Sequence, residues 1–124
     1  MTYNIDSFHI KELENFTLSI NNELVKKAPN WQVFSEGNVT KVIIDIGCET
    51  DGIKGTWDFE KLTISIEDIE IYGKFSGTSY HEILKPLFSR SEGKLRAIVV
   101  WEGGDSVEML TVEDGVITEE NMLR

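Results

Sequence analysis

The chain has 124 residues, 40% of them apolar, with six Phe, three Trp and three Tyr, enough to bury one sizeable core. That supports a single folded domain over 1–124 and excludes a disordered chain. The formal charge of −10, from 22 acidic and 12 basic residues, disfavours nucleic acid and anionic membranes as partners and favours a basic protein.

Residues 3–5 read as a short extended lead-in. Asp6 and Ser7 are good helix caps, and Ile10, Leu13, Phe16, Ile20 and Leu24 then share one helical stripe. This spacing predicts a helix, with Lys26 and Lys27 at its negative end and Pro29–Asn30 as its stop. The segment FTLSI also alternates like a strand, so residues 16–20 remain open between the two. His9, in the first turn, reads as a surface or capping residue.

Trp31, Val33 and Phe34 alternate loosely before a turn at Glu36–Gly37–Asn38. Residues 39–48 predict a strand with Val42, Ile44 and Ile46 on one face and Ile43 and Asp45 on the other. Residues 49–55 read as a loop, and Trp57 and Phe59 open a strand continued by Leu62, Ile64 and Ile66. The phase changes at Glu67–Asp68, where a hairpin or a bulge fits equally, and Ile69 and Ile71 follow. After a break at 73–77, Thr78 or Ser79 caps a helix over about 80–90, with Ile83, Leu84, Leu87 and Phe88 inward. Pro86 removes a helical hydrogen bond and is expected to kink or split it.

The clearest stretch is KLRAIVVWEGGDSVEMLTVEDGVI, residues 94–117. It predicts three antiparallel strands joined at Gly103–Gly104 and Asp114–Gly115, dipeptides suited to type I′ turns. A two-residue loop at 103–104 sets Trp101 against Ser106 and Val99 against Glu108. Leu95, Ala97, Val99, Trp101, Leu110 and Val112 then share one face, and Ile98, Val100, Val107 and Met109 the other. The tail from Thr118 is expected to fray.

The acids are clustered. Residues 45–70 carry eight against Lys54 and Lys61, and residues 102–120 carry seven against none, so the segments hold −6 and −7. One continuous negative patch is expected from the 49–60 region and the 102–108 hairpin. Its rigid turn marks Glu102, Asp105 and Glu108 as partner-binding residues, with Asp58 and Glu60 second. Glu102 and Asp105 also flank a tight turn, an arrangement that can divide into acid and base or hold a cation. A hairpin turn rich in Gly and acids equally needs no function. His9 and His81 are separated in sequence, Cys48 is the lone cysteine, and no spacing fits zinc, a nucleophilic triad or a phosphate loop. No cofactor and no metal is expected. The lone Cys48 and an N-terminus without a basic or apolar leader suit a cytoplasmic protein.

The string AIVVWEGGDSVEMLTVEDGVITEE, residues 97–120, following a short helix and Ser-Glu-Gly, resembles the C-terminal region of small bacterial immunity proteins. These are partners of polymorphic toxins, including those of contact-dependent inhibition. The resemblance implies a cytosolic, non-catalytic protein that blocks a cognate toxin domain; many such toxins are nucleases with basic clefts. No individual binding residue transfers from it. Two alternatives stand beside this reading: a phage-encoded nucleic-acid mimic, and a small enzyme or ligand-binding domain using Glu102, Asp105 or His81. The expected fold is α+β, a mainly antiparallel sheet of about six or seven strands with two helices packed on one face.

Overall fold

A 16-residue bulged strand, β1 (Asn4–Ser19), occupies the place where the apolar spacing predicts the first helix. The structure is a computed structural model that describes residues 4–20, 30–46, 52–71, 75–104 and 106–122. The expectations for Lys26, Lys27, Pro29, Cys48, Glu49, Asp51, Gly73 and Asp105 lie outside these residues. After β1 come β2 (Asn30–Glu36), β3 (Val39–Asp45), β4 (Gly52–Asp58), β5 (Thr63–Glu70) and the two-residue β6 (Phe75–Ser76). A helical segment, α1 (residues 77–88), leads into β7 (Ser91–Trp101), β8 (Val107–Glu113) and β9 (Val116–Asn121). All pairings are antiparallel, in the order β2-β3-β4-β5-β1-β7-β8-β9, with β6 paired to the start of β1. Among the described residues, the expectation of six or seven strands with two packed helices is therefore corrected to an eight-strand path and one short helix.

The reason lies in three irregularities of β1. Its register against β7 shifts between Ile5 and Ser7, between Ile10 and Glu12, and between Glu14 and Thr17. Each extra residue lets apolar side chains three apart stay on one side of the sheet. Ile5, Phe8, Phe16 and Leu18 are accordingly buried, with Ile10 and Leu13 partly so. A spacing of threes thus imitates a helix while serving a strand. The last bulge crosses Gly93, whose φ of +83° suits glycine, and a Cβ there would sit 2.6 Å from the Glu14 carbonyl oxygen.

The 94–117 unit forms with the expected register. Val99 pairs with Glu108 and Val100 with Val107, and the Trp101 N–H donates to the Ser106 carbonyl at 3.0 Å. The connection is wider than a two-residue loop, with a 3-10 turn at Glu102–Gly104. Leu95, Ala97, Val99, Leu110 and Val112 are buried on the expected face. At the second turn Asp114 and Gly115 both have positive φ, 47° and 84°. The Asp114 side chain also accepts from the Gly93 N–H at 2.9 Å, tying this turn to the β1 crossing. The tail expected to fray supplies β9, paired with β8 from Val116 to Asn121.

The N-terminal half is a meander. The expected 49–55 loop holds the start of β4, and the expected strand from Trp57 to Ile66 is broken by a turn at residues 59–62. Asp58 causes the break: its Oδ1 accepts from the Glu60 and Lys61 N–H groups at 2.9 and 3.1 Å, an Asx turn. The phase change at 67–68 is a bulge, because Lys54 pairs with Asp68 and Gly55 with Ile66. Beyond it Ile69 and Ile71 return to the core alongside Ile64 and Ile66.

The Ser76 hydroxyl, not Thr78 or Ser79, caps α1 by accepting from the Thr78 N–H at 3.2 Å. Residues Tyr80–Leu84 form a π turn ahead of Lys85–Phe88, so the helix changes register next to Pro86. Tyr80, Leu84, Leu87 and Phe88 face inward, and Phe88 meets Phe16 edge-on with ring centres 5.6 Å apart. Buried residues of both sheet halves and of α1 make one continuous cluster. Among the described residues no helix is long and apolar enough to cross a membrane.

Candidate functional site

The turns on either side of β8 decide which acids meet. Val99 opposite Glu108 places Glu108 on the core-facing side, and Leu110 opposite Glu119 places Glu119 on the same side, diagonally next to it. The first half of α1 covers this corner. Tyr80 is fully buried, packs edge-on against Trp101 with ring centres 5.5 Å apart, and lies beneath the Lys85 ammonium, which is 5.1 Å from the ring centre. Lys85 pairs with Glu119, while His81 stacks on Trp101 at 6.0 Å and 22°.

Electrostatics separate the two carboxyls. Glu108 is pushed up to about 7, first by its hydrogen bond with Glu119, then by burial and the Glu119 charge. Glu119 is held below the ordinary carboxylate range: burial opposes this, and hydrogen bonds with Glu108 and Lys85 and the Lys85 and His81 charges outweigh it. The pair therefore shares one proton, resident on Glu108, because the cation sits on Glu119. Among the described residues no donor reaches the buried Glu108 Oε2, and protonation turns the carboxyl into the donor of its hydrogen bond with Glu119. The Tyr80 hydroxyl is likewise buried and unpartnered among the described residues, and burial followed by the two Glu charges raises its pKa far above the tyrosine range. Such a corner can take up or release a proton near neutrality. Among the described residues no group of three or more His, Cys, Asp and Glu could hold a metal.

Of the other marked residues, Asp58 and Glu60 lie away from this corner. Glu102 lies in the 3-10 turn beyond Trp101, half-buried. Glu108 faces the helix rather than presenting its charge on the hairpin surface. Asp58 spends its carboxylate on the turn, and Glu60 is exposed in that turn. The 59–62 turn borders the Ser19–Thr63 end of β1, whereas Glu102 follows Trp101 at the Ile5 end. These ends are roughly 40 Å apart along the strand at ~3.3 Å per residue. Among the described residues, Asp58 and Glu60 therefore share no patch with Glu102 and Glu108. Sequence reasoning missed Glu119, Lys85 and Tyr80, although the registers of the two turns already set Glu119 diagonal to Glu108.

The opposite face of β1, β7, β8 and β9 is turned away from α1 and the core cluster. Ile98, Val100, Val107 and Met109 are only partly buried and lie outside the core cluster. Across the sheet Ile98 pairs with His9 and Met109 with Glu120, both exposed. Glu12 approaches Lys94 at 3.9 Å and Arg96 at 3.6 Å along the β1–β7 border. The result is an aliphatic centre with a charged margin that is acidic on the β9 side, through Glu113, Asp114 and Glu120. No family model, curated protein or solved structure matches this chain.

Proposed function

We propose that the chain is a non-catalytic, acidic binding protein that docks a basic protein through the outer face of β1, β7, β8 and β9. The observation that carries this is the aliphatic group Ile98, Val100, Val107 and Met109, only partly buried and outside the core cluster, on the face turned away from α1. An apolar centre with a polar rim is the anatomy of a protein interface, and contiguous exposed apolar surface marks interaction sites. The acidic side of the rim would accelerate encounter with a basic partner and pair with its Lys and Arg. On the resemblance of residues 97–120, the partner is a cognate toxin domain, a nuclease in the form that the charge favours, and the chain acts as its immunity protein by steric and electrostatic occlusion. The separation of Asp58 and Glu60 from Glu102 weakens the nucleic-acid-mimic alternative, which needs carboxylates in extended rows. The small-enzyme alternative now rests on Glu108, Glu119 and His81, which the fold gathers, rather than on the Glu102 turn.

Titration calorimetry with the toxin domain encoded beside the chain tests the proposal. Met109→Lys and Ile98→Lys are expected to abolish binding while leaving the unfolding transition unchanged. Asp58→Asn with Glu60→Gln is expected to leave affinity as it is. Unchanged affinity in both lysine variants would move the interface elsewhere. Failure of the wild-type chain to bind that neighbour would remove the immunity reading, and turnover of a small molecule lost in Glu108→Gln would establish the enzymatic one.

A further inference from the structure

Among the described residues, the two strands that end the sheet, β2 and β9, differ in charge. β9 carries Glu119 and Glu120, next to Glu113 and Asp114 on β8 and its turn. β2 reads Asn-Trp-Gln-Val-Phe-Ser-Glu, and from Trp31 to Ser35 it has no charge, no Pro and no Gly. It pairs with β3 over seven consecutive positions without a bulge, so its outer edge is regular. Val33 and Phe34 are 56% and 44% exposed and point to opposite faces. Long, regular, uncharged apolar edges are what soluble proteins otherwise blunt with charge, Pro or bulges, because such edges pair with other strands.

We infer that β2 is the interface of a symmetric homodimer, in which the β2 strands of two copies pair antiparallel and join two sheets. Charge selects the occupant. Two chains of −10 repel each other over most of their surface, and the uncharged β2 edge is where they approach at least cost. The strand is also self-complementary about Val33. A twofold axis there sets Val33 against Val33, Gln32 against Phe34, and Trp31 against Ser35. The end positions set Glu36 against Asn30, so no acid opposes an acid. The same operation on β9 about its midpoint would set Glu119 against Thr118 and Glu120 against Ile117, crowding four carboxylates at the junction. On the core-facing side Trp31 would lie diagonal to the partner's Val33, extending the Trp31–Trp57–Phe59 aromatic row, whose ring centres are 6.5 and 5.6 Å apart. The face proposed for toxin binding lies on strands at the other end of the sheet, so one dimer could hold two partners.

Sedimentation velocity of the full chain, from low to several hundred micromolar, tests this. The expected result is a reversible shift to twice the chain mass that strengthens with salt, because screening weakens the repulsion between copies. Val33→Lys sets two ammonium groups face to face and is expected to weaken the dimer about a hundredfold; Phe34→Glu is a second variant with the same expectation. Thr118→Lys on β9 is expected to change nothing. In a Cys48→Ser background, Val33→Cys is expected to form an interchain disulfide under mild oxidation, and Thr118→Cys is not. A wild-type chain that stays monomeric throughout overturns the proposal. So does a dimer that survives Val33→Lys and Phe34→Glu, or one that only Thr118→Lys disrupts.

Discussion

Glu108→Gln isolates the proton held at the α1–β8–β9 corner. Glu108 is pushed up from 4.5 to about 7, mainly by its hydrogen bond with Glu119. A group whose pKa rises on folding contributes stability that is fully present below its unfolded value and is lost as pH rises through its folded value. Glu108 thus stabilises the fold at pH 5 and ceases to do so by about pH 8. Glu119 is shifted the other way, so its contribution is complete above 4.5 and fails only under more acidic conditions. The two windows do not overlap, and of the two carboxyls only Glu108 acts between pH 5 and 8. At 1.36 kcal/mol per pH unit the unscreened loss is about 3 kcal/mol, and solvent access to both side chains reduces it to roughly 1–2 kcal/mol. The amide fixes the neutral, donating form at every pH. Glu108→Gln is therefore expected to match wild type at pH 5 and to exceed it by about 1–2 kcal/mol at pH 8, a rise in Tm of roughly 4–8 °C for a domain of this size. Urea unfolding across that range measures the slope, and carboxyl carbon NMR gives the midpoint of Glu108 directly. A wild-type stability that is flat from pH 5 to 8, or a variant less stable than wild type at pH 8, would refute the shared proton.

Gly93→Ala is expected to destabilise by about 2–4 kcal/mol in urea unfolding, since its Cβ would meet the Asn15 and Glu14 backbone at a φ of +83°. Phe16→Ala should remove about 3–5 kcal/mol, because Phe16 is 1% exposed and packs edge-on against Phe88. Its far-UV spectrum should remain that of a sheet, whereas a loss of helical signal from residues 6–27 would restore the helix that the spacing suggests.

The C-terminal unit was readable because turn chemistry and alternation agree there. Asp114–Gly115 fixes one register, the Gly103–Gly104 region another, and every apolar side chain from Leu95 to Val112 falls on the face they dictate. The N-terminal meander was readable only in part. Phe59 and Leu62 look like strand residues, yet they are 66% and 58% exposed, because Asp58 captures two N–H groups and turns the chain between them. Reading Asp58 as a surface charge hid its role as a turn residue. The candidate site was blurred for a related reason: Glu108 and Glu119 count as negative charge in any tally, while their position under α1 makes one of them an acid that keeps its proton.

The misreading of β1 shows what the bulges accomplish. A strand without irregularities would send Ile5, Phe8, Leu13 and Phe16 alternately to both faces, leaving half of them in water. Three extra residues return them to one face, and each also bends the strand and increases its twist. Bending matters because β1 borders both halves of the sheet: β7 along nearly its whole length and β5 only at Thr17–Ser19. Its curvature lets Ile44, Ile53 and Ile64 of the meander share one core with Leu95, Val99 and Leu110, beneath Tyr80, Leu84 and Phe88 of the helix. The periodicity that imitates a helix is thus the record of a strand bent to close a core. It has a cost at the far face, where Ile98, Val100, Val107 and Met109 are left only partly buried, outside the core cluster of the described residues. The described helix covers one side of the sheet, and the other side holds the apolar surface on which the proposed partner would dock.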